Sequence, residues 1–331
     1  MEIRVLNDIN PTEFDAHAAH PLQSYAWGEV RKRTHCEVVW VGMYDGNHLK
    51  QTFQMTVHSV PHTPYKILYI PRSQMPSAEM LAFVNTFARG KKIIFASWEP
   101  IDDPITPFSF FKNQIRNAAS PMLPPWTQII NLKRTEAELL AACDSHARYN
   151  IRYAERKGVE IREMNTEEGF EIFWEIYLAT CARQKYQGHG KAHHRAIWEE
   201  MRKTSINHIL VAWYENTPIA AIELFAFGKK LYYPYGGSLD IHRNVKAMNL
   251  LIWHAMLLGQ QLGLESLDLW GSMPPIHDKN HPWAGFTEFK RSFGGEFVKI
   301  GANFDQVFLP VPYFFYRIAF CLRKLVNKLF S

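Results

Sequence analysis

The residues best suited to do chemistry lie in Gly285-Phe286-Thr287-Glu288-Phe289-Lys290-Arg291-Ser292-Phe293-Gly294-Gly295. Three closely spaced phenylalanines predict an aromatic frame on a strand-like segment. Lys290 and Arg291 would then point to opposite faces, and Gly294-Gly295 would allow a turn or a close backbone approach. A lysine held on such a frame can stabilise a developing oxyanion; alternatively it snorkels from a core strand to water. A second feature is Arg148, Arg152 and Arg156, spaced four apart beside Lys157 on a helix expected to open at Thr135. Charges at that spacing share one helix face, which suits a phosphate track or a solvated stripe paired with Glu155 and Glu160. Lys191, His193, His194 and Arg195 form a third basic group, next to the loop Gly188-His189-Gly190.

Other chemistries lack their residues. An acyl-CoA site needs a glycine turn where a helix start closes around a pyrophosphate. The corresponding turn here, Arg243-Asn244-Val245-Lys246-Ala247-Met248, has none, and neither has Arg72-Ser73-Gln74-Met75-Pro76. His277 and His281 flank Asp278 in a Pro-rich segment without a third ligand, so no metal is expected. Cys36, Cys143, Cys181 and Cys321 stand apart, which argues against a disulfide framework and a zinc site, and there is no Gly-x-Ser-x-Gly elbow. No cofactor is expected. The net charge of +5 is too mild for a chain that coats nucleic acid by charge alone. The isolated cysteines point to a reducing cytoplasm. The first residues, Met1-Glu2-Ile3-Arg4, do not read as a leader, and no apolar run is long enough to span a bilayer.

The elements that must position these residues occur twice. Val41 to Gly46, Leu68 to Pro71, a helical pattern from Ala78 to Arg89 and the strand Ile93 to Trp98 are echoed later in the chain. Their counterparts are Val211 to Asn216, Leu231 to Pro234, a helical pattern from Ala247 to Leu262 and the strand Leu267 to Trp270. Each half reads strand, tight turn, strand, strand, helix, strand. Asp45-Gly46 and Glu215-Asn216 supply the hairpin turns. This is an α+β plan used twice. Thr135 and Glu138 form a predicted capping box just after the boundary, placed near residue 133. A further helix, Glu168 to Arg183, carries Phe170, Phe173, Trp174 and Tyr177 on a core-facing side. The end of the chain, from Pro312, is a basic amphipathic helix that can cap the core or lie on an anionic membrane.

Taken in order, several short segments resemble the Fem peptidyltransferases. They are Gln23 to Arg31, Tyr69-Ile70-Pro71-Arg72, Trp98-Glu99-Pro100, Arg148-Tyr149-Asn150-Ile151-Arg152 running to Lys157-Gly158-Val159, Tyr235-Gly236-Gly237-Ser238, and Phe289-Lys290 before Phe293-Gly294-Gly295. The resemblance implies two tandem acetyltransferase-like (GNAT-like) domains with mixed sheets flanked by helices. Residues 1–133 with 304–331 would form the first domain, on the precursor-binding side, and 134–303 the second, which carries the acyl-transfer site. It also implies an activity: an amino acid passes from aminoacyl-tRNA to an amine of a peptidoglycan precursor, either UDP-muramyl-pentapeptide or lipid II. In that reading Lys290 and Phe289 are catalytic, and Arg31, Arg195, Tyr235, Trp27 and Glu99 meet the precursor. Arg148, Arg152, Arg156 and Lys157 are the tRNA contacts. The expected protein is a cytoplasmic monomer without a long coiled-coil arm, with peripheral contact to the inner membrane face through its C-terminal helix.

Overall fold

The computed structural model describes residues 1–102, 114–118, 120–301 and 303–329, with side chains up to Arg323. Two compact units emerge, Met1–Leu123 with Ile300–Ser331, and Pro124–Lys299. The first runs β1 (Glu2–Val5), α1 (Pro11–Ala16), α2 (Tyr25–Arg33), β2 (Glu37–Asp45), β3 (His48–Ser59), β4 (Lys66–Pro71), α3 (Ala78–Ala88), β5 (Ile93–Glu99) and β6 (Ile115–Asn117). The second begins with β7 (Trp126–Asn131), α4 (Glu136–Ala142), α5 (Ser145–Arg156), β8 (Glu160–Glu163), α6 (Glu167–Gln184) and α7 (Lys191–Arg202). It continues through β9 (Asn207–Tyr214), β10 (Thr217–Phe227), β11 (Lys230–Ser238), α8 (Ala247–Gln261), β12 (Ser266–Asp268), α9 (Ala284–Arg291) and β13 (Glu296–Lys299). The chain then returns to the first unit as β14 (Phe304–Val307) and α10 (Pro310–Leu329).

Among the described residues each unit holds a seven-stranded mixed sheet, ordered β1-β2-β3-β4-β5-β14-β6 in one and β13-β7-β12-β11-β10-β9-β8 in the other. Read from opposite ends the two orders correspond strand for strand, which is the expected duplication. Among the described strands the parallel pairs are β4 with β5 and β11 with β12, each joined by its crossover helix, α3 or α8. Every other pairing is antiparallel, so the architecture is α+β. The junctions fall at residues 123/124 and 299/300, earlier than expected. The reason is that β7 pairs with both β12 and β13 and so belongs to the second sheet.

The hairpin between β2 and β3 turns at Gly46-Asn47, one residue beyond the expected pair, because Asp45 still pairs with His48. Between β9 and β10, Glu215 and Asn216 both take positive φ, as a two-residue hairpin with the right twist requires. Long strands with both faces covered supply the cores: Val41, Met43, Phe53, Met55 and Trp98 in the first unit, and Ile209, Val211, Ile222 and Leu224 in the second, are fully buried. Phe170, Phe173 and Tyr177 of α6 pack into a core cluster with Trp198, and Trp174 lies partly buried against it.

The helix expected from Thr135 is two helices. The capping box of Thr135 and Glu138 opens α4, and Asp144 then caps α5 through a 2.7 Å bond to the Ala147 N–H. In α10, Tyr313 packs on Phe95 and donates to Asp305, whereas Val311, Phe314, Phe315, Ile318 and Leu322 are exposed. The residues expected to complete its basic and apolar sides (Lys324, Leu325, Val326, Asn327, Lys328 and Leu329) lie outside the described side chains. Among the described residues no helix is long and apolar enough to cross a membrane.

Candidate active site

In the second unit the parallel pair β11–β12 stays together only as far as Tyr232 and Asp268. Beyond that point β11 continues to Ser238 along β10, while the chain after β12 turns away, with Trp270 at a φ of 70°. The carbonyls of Leu269 and Gly271 therefore lose a strand partner. Both are taken up by the Nζ of Lys290, at 2.7 Å for Gly271. Lys290 is 2% exposed and lies 3.8 Å from the Phe286 ring centroid and 5.5 Å from that of Tyr233. Burial drives its pKa well below the usual lysine value, and the nearby Asp268 carboxylate offsets only part of that.

The segment carrying Lys290 is the helix α9, which corrects the strand expectation. Successive helical residues diverge by about 100° around the axis, so Lys290 is buried while Arg291 stays exposed beside Glu288. Phe289 packs partly buried, edge to face with Phe293 at 5.2 Å. Gly294 ends the helix at a φ of 76°, and its amide bonds the Arg291 carbonyl at 3.1 Å. The splayed segment is tied down from the same helix, since the Thr287 hydroxyl accepts from the Met273 amide and the Thr287 carbonyl accepts from Gln128. Asp268 accepts from Thr127 at 2.5 Å and from the Trp270 amide at 2.7 Å.

Farther along β11, Tyr235 faces Glu223 of β10 and packs edge-on to His194 at 4.7 Å. His194, Glu223 and Asn207 are a buried polar group, with Asn207 donating to Glu223 at 2.6 Å. His194 is visible in the sequence within a basic group, but Asn207 and Glu223 lie too far along the chain for a linear reading to join them to it. Gly237 lets α6 approach closely, for a Cβ there would stand 2.3 Å from Thr180 Oγ1. Arg183 at the end of α6 donates to the Ser238 carbonyl at 2.6 Å. Arg195, by contrast, is surrounded by Glu167, Glu171 and Glu199. Three carboxylates neutralise it, so of the two arginines it is Arg183 that stands beside the Tyr235 strand. Arg148 is also engaged, bonding the Ala141 and Cys143 carbonyls that end α4. Arg152, Arg156 and Lys157 remain exposed, next to Tyr149 and Tyr153, whose rings stack at 5.7 Å.

The first unit has its own polar cluster at the corresponding strand ends. Glu99, 1% exposed, pairs with Pro71 across β4–β5 and accepts from Tyr69 at 2.9 Å and from the Met122 amide at 2.5 Å. Burial raises its pKa. Both oxygens are engaged, so Glu99 organises this strand end. Trp27 is buried in the first turn of α2. Gly28 follows it and lets the helix close on the sheet, where a Cβ would meet Gln54 and Trp40 at 2.5 Å. That contact sets the position of Arg31, which donates to Cys36 Sγ at 3.0 Å. His58 Nδ1 lies 3.9 Å from the same sulfur. The Thr56 hydroxyl gives its one proton to the Tyr69 carbonyl, so it must accept from His58 Nε2–H at 2.8 Å, leaving Nδ1 unprotonated.

Burial, with the Arg31 charge, holds the His58 pKa down at about 4. The unfolded chain therefore binds a proton that the folded chain refuses as pH falls from about 6.5 to about 4, and this contribution to stability is lost over that window. Asp15, raised to about 6 by burial, acts in the opposite direction between about 6 and 4, because there the folded state holds the extra proton. His58→Gln is thus expected to stabilise the protein more at pH 4.5 than at pH 7.5, and Asp15→Asn more at pH 7.5 than at pH 4.5. Urea midpoints at the two pH values measure both.

His277 Nδ1 lies 2.9 Å from the Pro274 carbonyl oxygen, and His281 Nδ1 accepts from the Trp283 amide. Among the described residues no group of three metal-ligating side chains comes together.

A model of the FemAB family matches residues 111–209 and 199–322. The crystal structure of FemX superposes with a TM-score of 0.85 at 16% identity, over 96% of this chain and 100% of that one. A conserved protein of unknown function from Bacteroides thetaiotaomicron follows at 0.59, with 9% identity over 92% and 99% of the two chains. The C-terminal DUF2156 domain of a putative lysylphosphatidylglycerol synthetase from Agrobacterium fabrum gives 0.57, with 13% identity over 86% and 88%. Among curated proteins no sequence matches. These likenesses establish the fold as the one FemX has, here two units that each hold a mixed sheet with one parallel strand pair, splayed in the second unit.

Proposed function

Because the chain belongs to the FemAB family, we propose that it moves an amino acid from aminoacyl-tRNA to an amine of a peptidoglycan precursor in interpeptide bridge formation. The observation that carries this reading is Lys290, a buried amine on an aromatic frame at the point where β11 and β12 part. The precursor amine attacks the ester carbonyl carbon. A C–N bond forms, the carbonyl oxygen takes up negative charge, and the C–O bond to the terminal ribose then breaks as the carbonyl re-forms, the proton lost by the amine ending on the ribose oxygen, which leaves as a hydroxyl. Two positions of the Lys290 nitrogen are used on the Leu269 and Gly271 carbonyls, and the remaining one donates to the oxyanion when the amine is protonated. Ester to amide is downhill, so holding the two substrates together supplies much of the remaining rate enhancement.

Arg31 is assigned to the precursor's diphosphate, and Tyr235 with Arg183, in place of Arg195, to the acceptor. Trp27 and Glu99 act by supporting α2 and the β4–β5 end. For UDP-muramyl-pentapeptide as acceptor, Arg31→Met is expected to weaken binding about 10- to 100-fold, the scale of one charge-assisted hydrogen bond. Isothermal titration measures it, and unchanged affinity removes Arg31 from the site. With lipid II as acceptor the chain would work at the inner membrane face, and the exposed Phe315, Ile318 and Leu322 of α10 support peripheral contact there.

The donor is assigned to α5 through Arg152, Arg156 and Lys157, with Tyr149 and Tyr153 offering stacking surface. Replacing Arg152 and Arg156 by Ala is expected to lower the slope of log affinity against log salt by about one per residue. Filter binding of aminoacyl-tRNA across a salt series measures this, and an unchanged slope moves the RNA elsewhere.

A further inference from the structure

The Pro-flanked segment between β12 and α9 gathers no metal-ligating trio among the described residues, yet hydrogen bonds tie it down along its length. They lead to one aromatic ring. His277 Nδ1 donates to the Pro274 carbonyl at 2.9 Å, the Asn280 amide bonds the Asp278 carboxylate at 2.9 Å, and the His281 amide bonds the Asp278 carbonyl at 3.1 Å. His281 Nδ1 then accepts from the Trp283 amide at 3.1 Å, and the Trp283 carbonyl accepts from the Thr287 amide of α9 at 2.9 Å. Trp283 is thereby fixed at the head of the helix that carries Lys290. Its ring stands edge to face with Phe286 at 6.4 Å, and both residues stay open to solvent, at 45% and 43% exposed.

Two observations place this ring beside the Lys290 amine. Nζ lies 3.8 Å from the Phe286 centroid, and the further 6.4 Å to Trp283 puts the indole no more than about 10 Å from the amine. From the other side, a Cβ on Gly271, whose carbonyl binds Lys290, would stand 4.0 Å from Trp283 Cζ3. Large rings left half open beside a reacting centre offer a stacking surface. The charges around it cancel: Asp278 and Lys279 carry opposite signs, and Glu288 pairs with Arg291 at 3.6 Å. Such a surface suits a flat, uncharged ring over a phosphate, which is the chemistry of a nucleobase. We propose that Trp283 and Phe286 form the stacking platform for the terminal nucleobase of the donor RNA. The proposal rests on the donor assigned above. The base of the esterified nucleotide is joined to the acyl group through a single ribose, so when the ester carbonyl meets Lys290 the base must fall within one nucleoside's length of it. The Trp283 and Phe286 rings are the exposed aromatic surface on the helix that carries Lys290.

The test measures, by fluorescence anisotropy, binding of a short labelled RNA hairpin to the full chain, with the hairpin's single strand ending in CCA or shortened to CC. Trp283→Ala is expected to weaken binding of the CCA hairpin about tenfold, the scale of one lost stacking ring, and Trp283→Phe to recover most of it. Removing the terminal adenosine should weaken wild-type binding by a similar factor and change nothing in Trp283→Ala, because both changes delete the same contact. Trp283→Ala should keep the wild-type melting temperature, since the ring is half exposed, which separates lost binding from lost folding. Equal binding by wild type and Trp283→Ala, or an adenosine effect that persists in Trp283→Ala, overturns the platform even where transfer stands. Titration of the ¹⁵N-labelled chain with adenosine alone, followed at the Trp283 indole resonance, separates the platform from the donor reading. A saturable shift in a chain that ignores the hairpin upholds the platform and overturns the RNA donor. No shift with either ligand overturns the platform.

Discussion

Lys290→Met is expected to lower kcat for aminoacyl transfer about 10²- to 10³-fold, the usual effect of removing one oxyanion donor from a dry site. KM for both substrates should change little, because the interaction is made as charge develops on the carbonyl oxygen. Methionine keeps most of the apolar stem against Phe286 and Tyr233, so the core loses little packing. The Gly271 carbonyl loses its partner, a penalty of about 1–3 kcal/mol, whereas the Leu269 carbonyl still accepts from the Gly271 amide at 2.9 Å, and the loss is partly offset by no longer burying an amine. Lys290→Arg should not rescue activity, because a forked guanidinium does not fit where a single nitrogen bridges two carbonyls. Steady-state kinetics with a melting curve on the same preparation separate the two roles. A variant that melts lower but turns over normally assigns Lys290 to structure alone.

Gly294→Val is the substitution expected to harm folding most. Its φ of 76° disfavours any β-branched residue, and a Cβ would stand 2.4 Å from the Ala142 carbonyl oxygen, a backbone atom that cannot swing away. The left-handed conformation costs about 1–2 kcal/mol for a residue with a Cβ, and the collision adds to that. The end of α9 would have to shift against α4, carrying Lys290 from the Leu269 and Gly271 carbonyls. A fall of several degrees in melting temperature is expected, with reduced kcat in the remaining folded protein. Gly285→Ala is the control, since a Cβ there meets nothing within 4 Å.

The duplication was legible because it is written in strong local signals. Hairpin turns, runs of apolar strand residues and a crossover helix recur in the same order, and both sheets follow them. The boundaries were less legible, because β7 and β14 pair with strands remote in sequence and nothing local to Thr127 or Phe304 names the partner. For Lys290 the residue was visible but its element was misread. Phe286, Phe289 and Phe293 are spaced three and four apart, which is helical periodicity, and Gly294 is a helix-terminating glycine. Weighing the aromatic content over that spacing suggested a strand. Arg148 and Arg195 look like free cations in a linear reading. The carbonyls that engage Arg148 come from Ala141 and Cys143 at the end of the preceding helix, and two of the three carboxylates around Arg195, Glu167 and Glu171, come from α6, at spacings a single-helix picture does not supply; Glu199 alone is its i,i+4 neighbour.

The most direct test of the account is transfer itself. Purified protein is incubated with radiolabelled aminoacyl-tRNAs and either UDP-muramyl-pentapeptide or lipid II, with and without ribonuclease pretreatment of the donor. The account predicts label in the precursor as a new amide, abolished by ribonuclease. No label in either acceptor, or transfer that survives ribonuclease and depends on an acyl-CoA, would contradict it.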